Sequence, residues 1–322
     1  MNIFIKIIMI KQVSKDYNLY YPKNDIEAYQ KYTNYNFIYN KLNLFTYQKI
    51  KAFPLPIKPI KFPVVIKPII NLKGMGLDSF LINNTEDFFN IIQKKKLSSG
   101  LFWCKFLTGK HFSWDLIINN GDIVYYTVFQ GVKNNNKKLI KKYFGTFKFW
   151  RQIFNKNLLI IIKKLVKDKF SNFTGHLNIE TIGKYIIECH LRFGDIDFCN
   201  NDIILLALLN LNKKYILKQL NIVLNKKYEP LYLVPVWMEH SEIYSNILYQ
   251  KIYNFIETKI EQNIIEDDKI TGYYFDDLNH PSPLNFKRWL LLIGYDFSYL
   301  IKLSKNYTQQ IKNELYSSSY KN

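Results

Sequence analysis

Polar side chains alternate with apolar ones along two neighbouring stretches of residues 174–197, where a buried hairpin would be apolar. The polar positions are Asn178, Glu180, Glu188, His190 and Arg192. In an extended strand, side chains two residues apart point to the same face, so each stretch predicts a β-strand with one polar and one oily face. The polar face would present carboxylate, imidazole and guanidinium groups together. Such a face could hold a metal ion and a phosphate chain.

The length of the turn between these strands decides which polar residues face one another. If the turn contains only Gly183 and Lys184, Asn178 pairs with Cys189 and misses the face of Glu188. A three-residue turn with a bulge would instead place Asn178 opposite Glu188. A metal site built on these strands requires the second arrangement.

A glycine-containing loop and a lysine just before it offer a second set of phosphate ligands. Residues 62–70 predict a β-branched strand that contains Lys67, and the loop that follows contains Lys73, Gly74 and Gly76. Glycines let the backbone approach a ligand closely, and exposed amides can cradle phosphate oxygens. The two lysines would add positive charge. An ordinary surface loop is the alternative interpretation of the two glycines.

Two further strands, at 101–107 and 111–118, lie between the loop and the hairpin. In the second strand His111, Ser113 and Asp115 share one face, and a solvated outer face is the alternative to a functional one. Other elements are predicted as strands at 1–11, 123–130 and 228–237, helices at 25–32, 85–96, 158–170, 202–220, 241–260 and 302–322, a hairpin turn at 119–122 and an extended proline-rich connector at 53–63. The reactive residue types at 276–289 are interpreted as a helix entry, with an acceptor-substrate contact as the alternative.

Composition predicts a globular intracellular protein of two or three lobes. The chain has 322 residues, 48% of them apolar, and a formal net charge of +19. The charge attracts polyanions, so nucleic acid is an alternative partner, although no recognition motif accompanies it. Three cysteines without a CxxC pair favour a reducing, cytoplasmic compartment. No apolar stretch reaches the ~18 residues of a transmembrane helix, so no membrane insertion is expected.

Three segments in a fixed order resemble the ATP-grasp superfamily of ATP-dependent carboxylate–amine ligases. They are FPVVIKPIINLKGMGL at 62–77, FWCKFLTGKHFSWDL at 102–116 and GHLNIETIGKYIIECHLR at 175–192, and the resemblance covers about residues 60–210. It implies an α+β, ATP-grasp-like fold with two α+β lobes and a nucleotide cleft between them. A mostly helical C-terminal extension would follow. The expected division is a reduced N-terminal segment at 1–55, a first lobe at 56–108, a second lobe with the metal and phosphate hairpin at 109–212, and the extension at 213–322.

The resemblance also assigns roles to individual residues. It implies that Lys67 and Arg192 meet the phosphates and act in catalysis. The implied nucleotide-binding residues are Lys67, Lys73, Gly74, Gly76, Lys105, Phe106, Leu107, His111 and Asp115. The implied metal ligands are Asn178, Glu188, His190 and Glu180.

Three positions depart from the superfamily pattern. His111 and Lys105 stand where the superfamily has glutamates, and His190 stands where it has a metal-binding asparagine. An imidazole nitrogen suits Mn²⁺ or Zn²⁺ better than Mg²⁺. The resemblance therefore implies ATP and Mg²⁺ (or Mn²⁺) as cofactors. The metal site would bind its ion weakly, or hold one ion where relatives hold two.

The function implied by the resemblance is ATP-dependent ligation, in which a carboxylate is activated through an acyl phosphate. The partners would be ATP and a small-molecule or peptide carboxylate or amine, and the sequence does not indicate which one. A catalytically inactive nucleotide-binding or interaction protein is the first alternative, which the departures at His111 and His190 favour. A basic polyanion-binding protein with an unrelated α+β fold is the second.

Overall fold

A computed structural model of the chain describes residues 22, 24–72, 76, 78–95, 100–133, 147–153, 157–192, 194, 230–239, 250, 253–260, 270–275 and 286–319. The strand predicted at 1–11, the helix predicted at 202–220, and Lys73 and Gly74 lie outside these residues. Of the helix predicted at 241–260, residues 250 and 253–260 are described and are helical.

Five α-helices, one 3₁₀ helix and twelve strands are named here within the described residues. In chain order they are α1 (Asp25–Lys31), the 3₁₀ helix (Thr33–Tyr39), α2 (Lys41–Tyr47), β1 (Ala52–Pro54), β2 (Val64–Pro68), β3 (Phe80–Ile82), α3 (Thr85–Lys95), β4 (Leu101–Lys105), β5 (His111–Asn119), β6 (Asp122–Lys133), β7 (Phe147–Gln152), α4 (Ile160–Lys169), β8 (Gly175–Ile182), β9 (Tyr185–His190), β10 (Tyr232–Glu239), β11 (Ile270–Phe275), β12 (Phe286–Gly294) and α5 (Phe297–Ser319).

The chain packs into two compact units. The first comprises Met1–Gln130 and Ile153–Tyr228, and the second comprises Gly131–Gln152 and Glu229–Asn322. The boundaries of these two units, which reflect packing, differ from those of the four segments expected from the sequence. The division into four segments stays a prediction about function.

The smaller sheet of the first unit is antiparallel, with the strand order β1-β4-β2-β3. Val64 and Ile66 alternate along β2 and pack with Phe88 of α3, because side chains two apart share a face. The extended connector predicted at 53–63 is wrong at its start, since β1 pairs with β4 through residues 52–54. The backbone of this segment therefore belongs to a sheet.

The second group of strands in the first unit has the order β6-β5-β8-β9. The predicted hairpin turn between β5 and β6 is confirmed, since Asn120 and Gly121 have φ of 47° and 83°. Trp114 and Leu116 on β5 pack with Leu165 of α4 in the main core cluster. Since the apolar face of this sheet is buried against α4, the alternate positions of β5, β8 and β9 carry the polar face.

The two short helices before the first strand bring buried charges to the sheet. The Asn24 side chain caps α1 by accepting from the Glu27 amide at 2.9 Å, and Asn40 caps α2 in the same way. These caps fix where each helix begins. Asp25 and Lys41, the first residues of the two helices, are both buried.

In the second unit the strand order is β11-β12-β10-β7, and α5 packs on these strands. Leu300, Leu303, Tyr307 and Ile311 recur at helical spacing along the buried side of α5. The described part of the expected, mostly helical C-terminal extension contains α5 and the helical residues 253–260, and it also contributes three strands, β10 to β12. The helix entry proposed for 276–289 is wrong at its end, since residues 286–289 lie in β12. No helix of the described residues is long and apolar enough to cross a membrane.

Candidate functional site

A bulge in β9, rather than an odd-numbered turn, aligns the polar residues of the hairpin. The turn holds only Gly183 and Lys184, and Ile182 pairs with Tyr185. The register then shifts by one, because the extra residue lies within β9. The predicted three-residue turn is wrong, and so is the predicted pairing of Asn178 with Glu188. Asn178 instead pairs with His190, and Glu180 pairs with Glu188.

The shift nevertheless achieves what the hypothesis required. The four predicted metal ligands form two cross-strand pairs, Asn178 with His190 and Glu180 with Glu188. Residues that face each other across a ladder project to the same side of the sheet. Asn178, Glu180, Glu188 and His190 therefore share one face of the hairpin.

The hydrogen-bonding edge of β9 that faces away from β8 is covered by a side chain at the C-terminal end of α2 and by one from β2. The Gln48 amide pairs with the Ile186 backbone, donating to its carbonyl at 2.8 Å and accepting from its N–H at 2.7 Å. Lys67 Nζ donates to the carbonyl of Ile187, the extra residue of the bulge, at 3.3 Å. An edge strand otherwise leaves such groups unpaired, so these two side chains provide partners for three backbone groups of β9.

Glu188 is neutralised by a lysine that is itself buried. Lys41 Nζ lies 2.5 Å from Glu188 Oε1, and Lys41 is only 5% exposed. Burial alone would raise the pKa of Glu188. The positive charge of Lys41, followed by that of His190, outweighs burial and lowers the pKa to about 2. Glu188 is therefore ionised and ion-paired at neutral pH.

Asp25, the first residue of α1, is the centre of a second charge cluster at the end of β9. Its carboxylate accepts from Arg192 Nη2 at 2.8 Å, from His190 Nδ1 at 3.0 Å and from the Tyr39 hydroxyl at 3.1 Å. Asp25 is 2% exposed, and burial would raise its pKa. His190 and Arg192 hold the pKa well below its ordinary value instead. The cluster joins the first turn of α1 to the end of β9.

His190 also lies between two carboxylates. Its Nε2 is 3.6 Å from Glu188 Oε1, on the opposite side of the ring from Asp25. Burial would lower the pKa of His190, but Asp25 and Glu188 raise it above its ordinary value. The imidazole therefore acts as a donor toward Asp25 and is stabilised in its charged form.

His111, Ser113 and Asp115 are all buried, so the alternative prediction of a solvated outer face for these residues is wrong. Asn178 Nδ2 donates to Ser113 Oγ and to Asp115 Oδ1, both at 2.9 Å. Asp115 Oδ1 also accepts from the Gly194 amide at 2.7 Å. These contacts direct the nitrogen end of the Asn178 amide toward β5.

His111 has the same kind of internal partner. Its Nε2 lies 2.9 Å from Glu180 Oε2. Glu180 pairs across the ladder with Glu188, so His111 contacts the carboxylate of the hairpin face that lies opposite Glu188. His111 thus contacts a predicted metal ligand.

Lys67 is held in an aromatic cage. Its ammonium lies 4.5 Å from the ring centre of Phe45 and 5.7 Å from that of Phe102. Burial lowers its pKa below the ordinary value. Among the predicted nucleotide-binding residues at the end of β4, the amide of Lys105 donates to Lys51 O and that of Phe106 to Pro63 O. These two amides are therefore already used, and Leu107 packs against a small core cluster.

The predicted metal ligands already have partners within the protein. Within the described residues, no group of three or more His, Cys, Asp or Glu side chains could hold a metal ion. Glu188 faces Lys41, Glu180 faces His111, and the Asn178 amide nitrogen faces β5. The described side chains therefore do not fit a divalent ion as they stand. Asp195 and Asp197 follow the hairpin but lie outside the described residues.

The structure brings together four of the predicted site residues and adds four that the sequence did not indicate. Lys67, Glu188, His190 and Arg192 converge around β9. The added residues are Asp25, Tyr39, Lys41 and Gln48. An aspartate in the first turn of a helix is normally explained by the helix dipole, so Asp25 gave no local signal of burial.

Comparison with known proteins places this geometry within a known fold. No protein-family model matches the sequence, and no curated protein matches it. Solved structures do match. An L-amino acid ligase from Bacillus licheniformis superposes with a TM-score of 0.53 at 9% identity, covering 88% of this chain and 72% of that one.

A carboxyaminoimidazole ribonucleotide synthase from Aspergillus clavatus, solved with ATP, gives a TM-score of 0.52 at 10% identity. It covers 87% of this chain and 73% of that one. An N5-carboxyaminoimidazole synthase from the same organism, solved with ADP and 5-aminoimidazole ribonucleotide, gives 0.53 at 9% identity, with 88% and 74% covered. The chain thus has an ATP-grasp-like fold of mixed α/β content, as the sequence predicted.

Proposed function

We propose that this chain is an ATP-dependent ligase of ATP-grasp type, which activates a carboxylate through an acyl phosphate. The observation that carries the proposal is the convergence on β9 of Lys67, from the smaller sheet, and Arg192, from the end of the hairpin. The two cations come from segments far apart in the sequence. A fold shared with proteins solved with ATP and ADP supports the same assignment.

The reaction would proceed in two steps. The carboxylate oxygen attacks the γ-phosphorus of ATP, forming the acyl phosphate and releasing ADP. An amine then attacks the acyl carbon, phosphate leaves, and the amine loses a proton to solvent or base. Such catalysis depends mainly on positioning and on neutralising negative charge.

Arg192 is the residue best suited to the transferred phosphoryl group. Its planar guanidinium can bind two oxygens at once. Asp25 holds one of its nitrogens at 2.8 Å, and the side chain is 19% exposed, so part of the group faces solvent. Arg192 would therefore be oriented before substrate arrives.

The nucleotide contacts remain part of the proposal. Lys67 would meet the phosphates, together with Lys73, Gly74 and Gly76 of the loop that follows β2. Lys105, Phe106 and Leu107 would lie along the base, and His111 and Asp115 near the sugar. His111 would approach the sugar together with its partner Glu180.

Binding and turnover are tested separately. ATP and ADP are titrated against the purified protein while its melting temperature is followed. A ligand at 100 times its Kd adds about 2.7 kcal/mol to the native state and raises Tm by several degrees. ADP release is then measured with panels of carboxylate and amine acceptors. The absence of any thermal shift with both nucleotides, with or without divalent ions, would refute the proposal.

Matched arginine variants locate the site. Arg192→Gln should reduce acceptor-dependent ADP release at least about tenfold, because a charged donor to the phosphoryl group is lost. Arg151→Gln, which changes an exposed arginine of β7 in the second unit, should leave the rate unchanged. Equal rates for the two variants would contradict the role of Arg192.

A nucleotide-binding protein without ligase turnover is the second candidate. The specific observation that favours it is the internal pairing of Glu180, Glu188 and Asp25, each with a nitrogen cation or ring. This candidate predicts a thermal shift with ATP and no ADP release with any acceptor.

A further inference from the structure

We propose that Lys41 takes the place of a divalent cation at Glu188, so that this chain binds the phosphates of ATP without a metal ion on the hairpin. The inference rests on the proposed nucleotide binding and concerns how that same site is neutralised. It follows from the mismatch between the predicted metal ligands and the contacts those ligands make.

The carboxylates of the hairpin face already have nitrogen partners within the protein. Lys41 Nζ lies 2.5 Å from Glu188 Oε1, and His111 Nε2 lies 2.9 Å from Glu180 Oε2. A hard cation such as Mg²⁺ needs several oxygen ligands in near-octahedral geometry. To bind here, it would have to displace these nitrogens from both carboxylates.

Lys41 is anchored through its backbone as well as its ammonium. It is the first residue of α2, the Asn40 side chain caps that helix, and the Lys41 amide donates to Ile69 O at 2.8 Å. Its side chain is buried, so the charge has little freedom to leave Glu188. A tethered ammonium at this point is present in every molecule, whereas an ion must be captured and dehydrated.

The remaining carboxylate near β9 is neutralised in the same manner. Asp25 accepts from Arg192 at 2.8 Å and from His190 at 3.0 Å. The phosphate chain would therefore approach Glu188 and Asp25 when both carboxylates already have positively charged partners. Lys67 and the solvent-facing part of Arg192 would then supply its direct positive partners.

The test measures ATP binding by calorimetry in EDTA and again in excess Mg²⁺ or Mn²⁺. The wild-type chain should bind ATP in EDTA with the same affinity as in Mg²⁺. Lys41→Met should bind about tenfold more weakly in EDTA, because the buried Glu188 loses its nearest positive partner beside the phosphates and keeps His190, at 3.6 Å. Adding Mn²⁺ should restore binding to this variant. Lys51→Met, an exposed lysine of the same unit, is the control and should match wild type.

A double variant keeps the test informative if Lys41→Met does not fold. Lys41→Met with Glu188→Gln removes both charges and should bind ATP in EDTA like the wild type. Weak metal-free binding by a folded double variant would overturn the inference, because neutralising Glu188 could then not be the role of Lys41.

The outcomes separate this inference from the proposed function. Wild-type binding that requires Mg²⁺ or Mn²⁺ overturns the inference and leaves nucleotide binding in place. Binding of Mn²⁺ alone to the wild type, seen as loss of the free-ion signal in electron paramagnetic resonance, overturns it as well. If ATP binds under neither condition, the proposed function itself fails.

Discussion

Replacing Asp25 by asparagine should destabilise the chain more than any other single acid-to-amide change among the described residues. Asparagine keeps the size of the side chain but removes the charge that holds Arg192 and His190 at 2.8 and 3.0 Å. Removing one partner of a buried ion pair costs about 3–5 kcal/mol, since the other charge is left uncompensated. Arg192 is 19% exposed and regains some hydration, so about 3 kcal/mol is expected.

The assay is urea unfolding at neutral pH, followed by tryptophan fluorescence. Asp122→Asn is the matched control, because Asp122 is exposed at the start of β6 and its loss should change stability by less than about 0.5 kcal/mol. The native Asp25→Asn protein should also lose the coupling between α1 and β9, seen as faster amide exchange at the Leu191 N–H, which donates to Tyr39. A decrease in the free energy of unfolding of less than about 1 kcal/mol for Asp25→Asn would refute the stabilising role of the buried Asp25 cluster.

The remaining predictions concern acidity, the edge of β9 and the β5–β6 turn. The pKa of Glu188 is lowered from 4.5 to about 2 in the folded chain, and that of Asp25 is lowered as well. The stability that these two carboxylates provide is therefore present above their unfolded pKa values and is lost as pH falls from about 4.5 toward 2. Urea unfolding measured across this pH range checks the prediction, and a free energy of unfolding that does not change with pH contradicts it. Gln48→Ala should cost about 1–3 kcal/mol in urea unfolding, because the backbone groups of β9 lose both partners, and an unchanged midpoint would argue against that pairing. Gly121→Ala should prevent folding or destabilise the chain by about 3 kcal/mol, which lowers Tm by about 5 °C, since its Cβ would lie 2.2 Å from Ser171 O; circular dichroism melting measures this, and a wild-type Tm would contradict it.

The sequence predicted those elements whose signal is local. The β5–β6 turn follows from Asn-Asn-Gly-Asp, because few residues adopt positive φ as readily as asparagine and glycine. The polar and oily faces of the hairpin follow from strict alternation at 177–180 and 187–192. The order of these segments along the chain also indicated the ATP-grasp-like fold, which the solved structures confirm.

What the sequence could not predict depends on contacts between distant segments. The bulge in β9 lies where Lys67 and Gln48, from distant parts of the sequence, bind the backbone carbonyls of Ile187 and Ile186, and no local rule places that extra residue. Asp25 and Lys41 look like ordinary first-turn and surface residues in sequence. Their roles arise only because α1 and α2 pack against the end of β9.

The C-terminal region shows the same distinction. Helical periodicity along α5 was readable in sequence, since Leu300, Leu303 and Tyr307 recur at i, i+3 and i+7. The apolar run of β12 was not assigned to a strand, because a short apolar segment is equally compatible with a buried helix. Its pairing with β10 and β11 decides the matter.

A structure of the chain with ATP bound is the most direct test of the central claim. The account predicts the phosphate chain against Lys67 Nζ and the guanidinium of Arg192, with Glu188 still paired to Lys41. A nucleotide bound elsewhere, or phosphates that contact neither Lys67 nor Arg192, would contradict it.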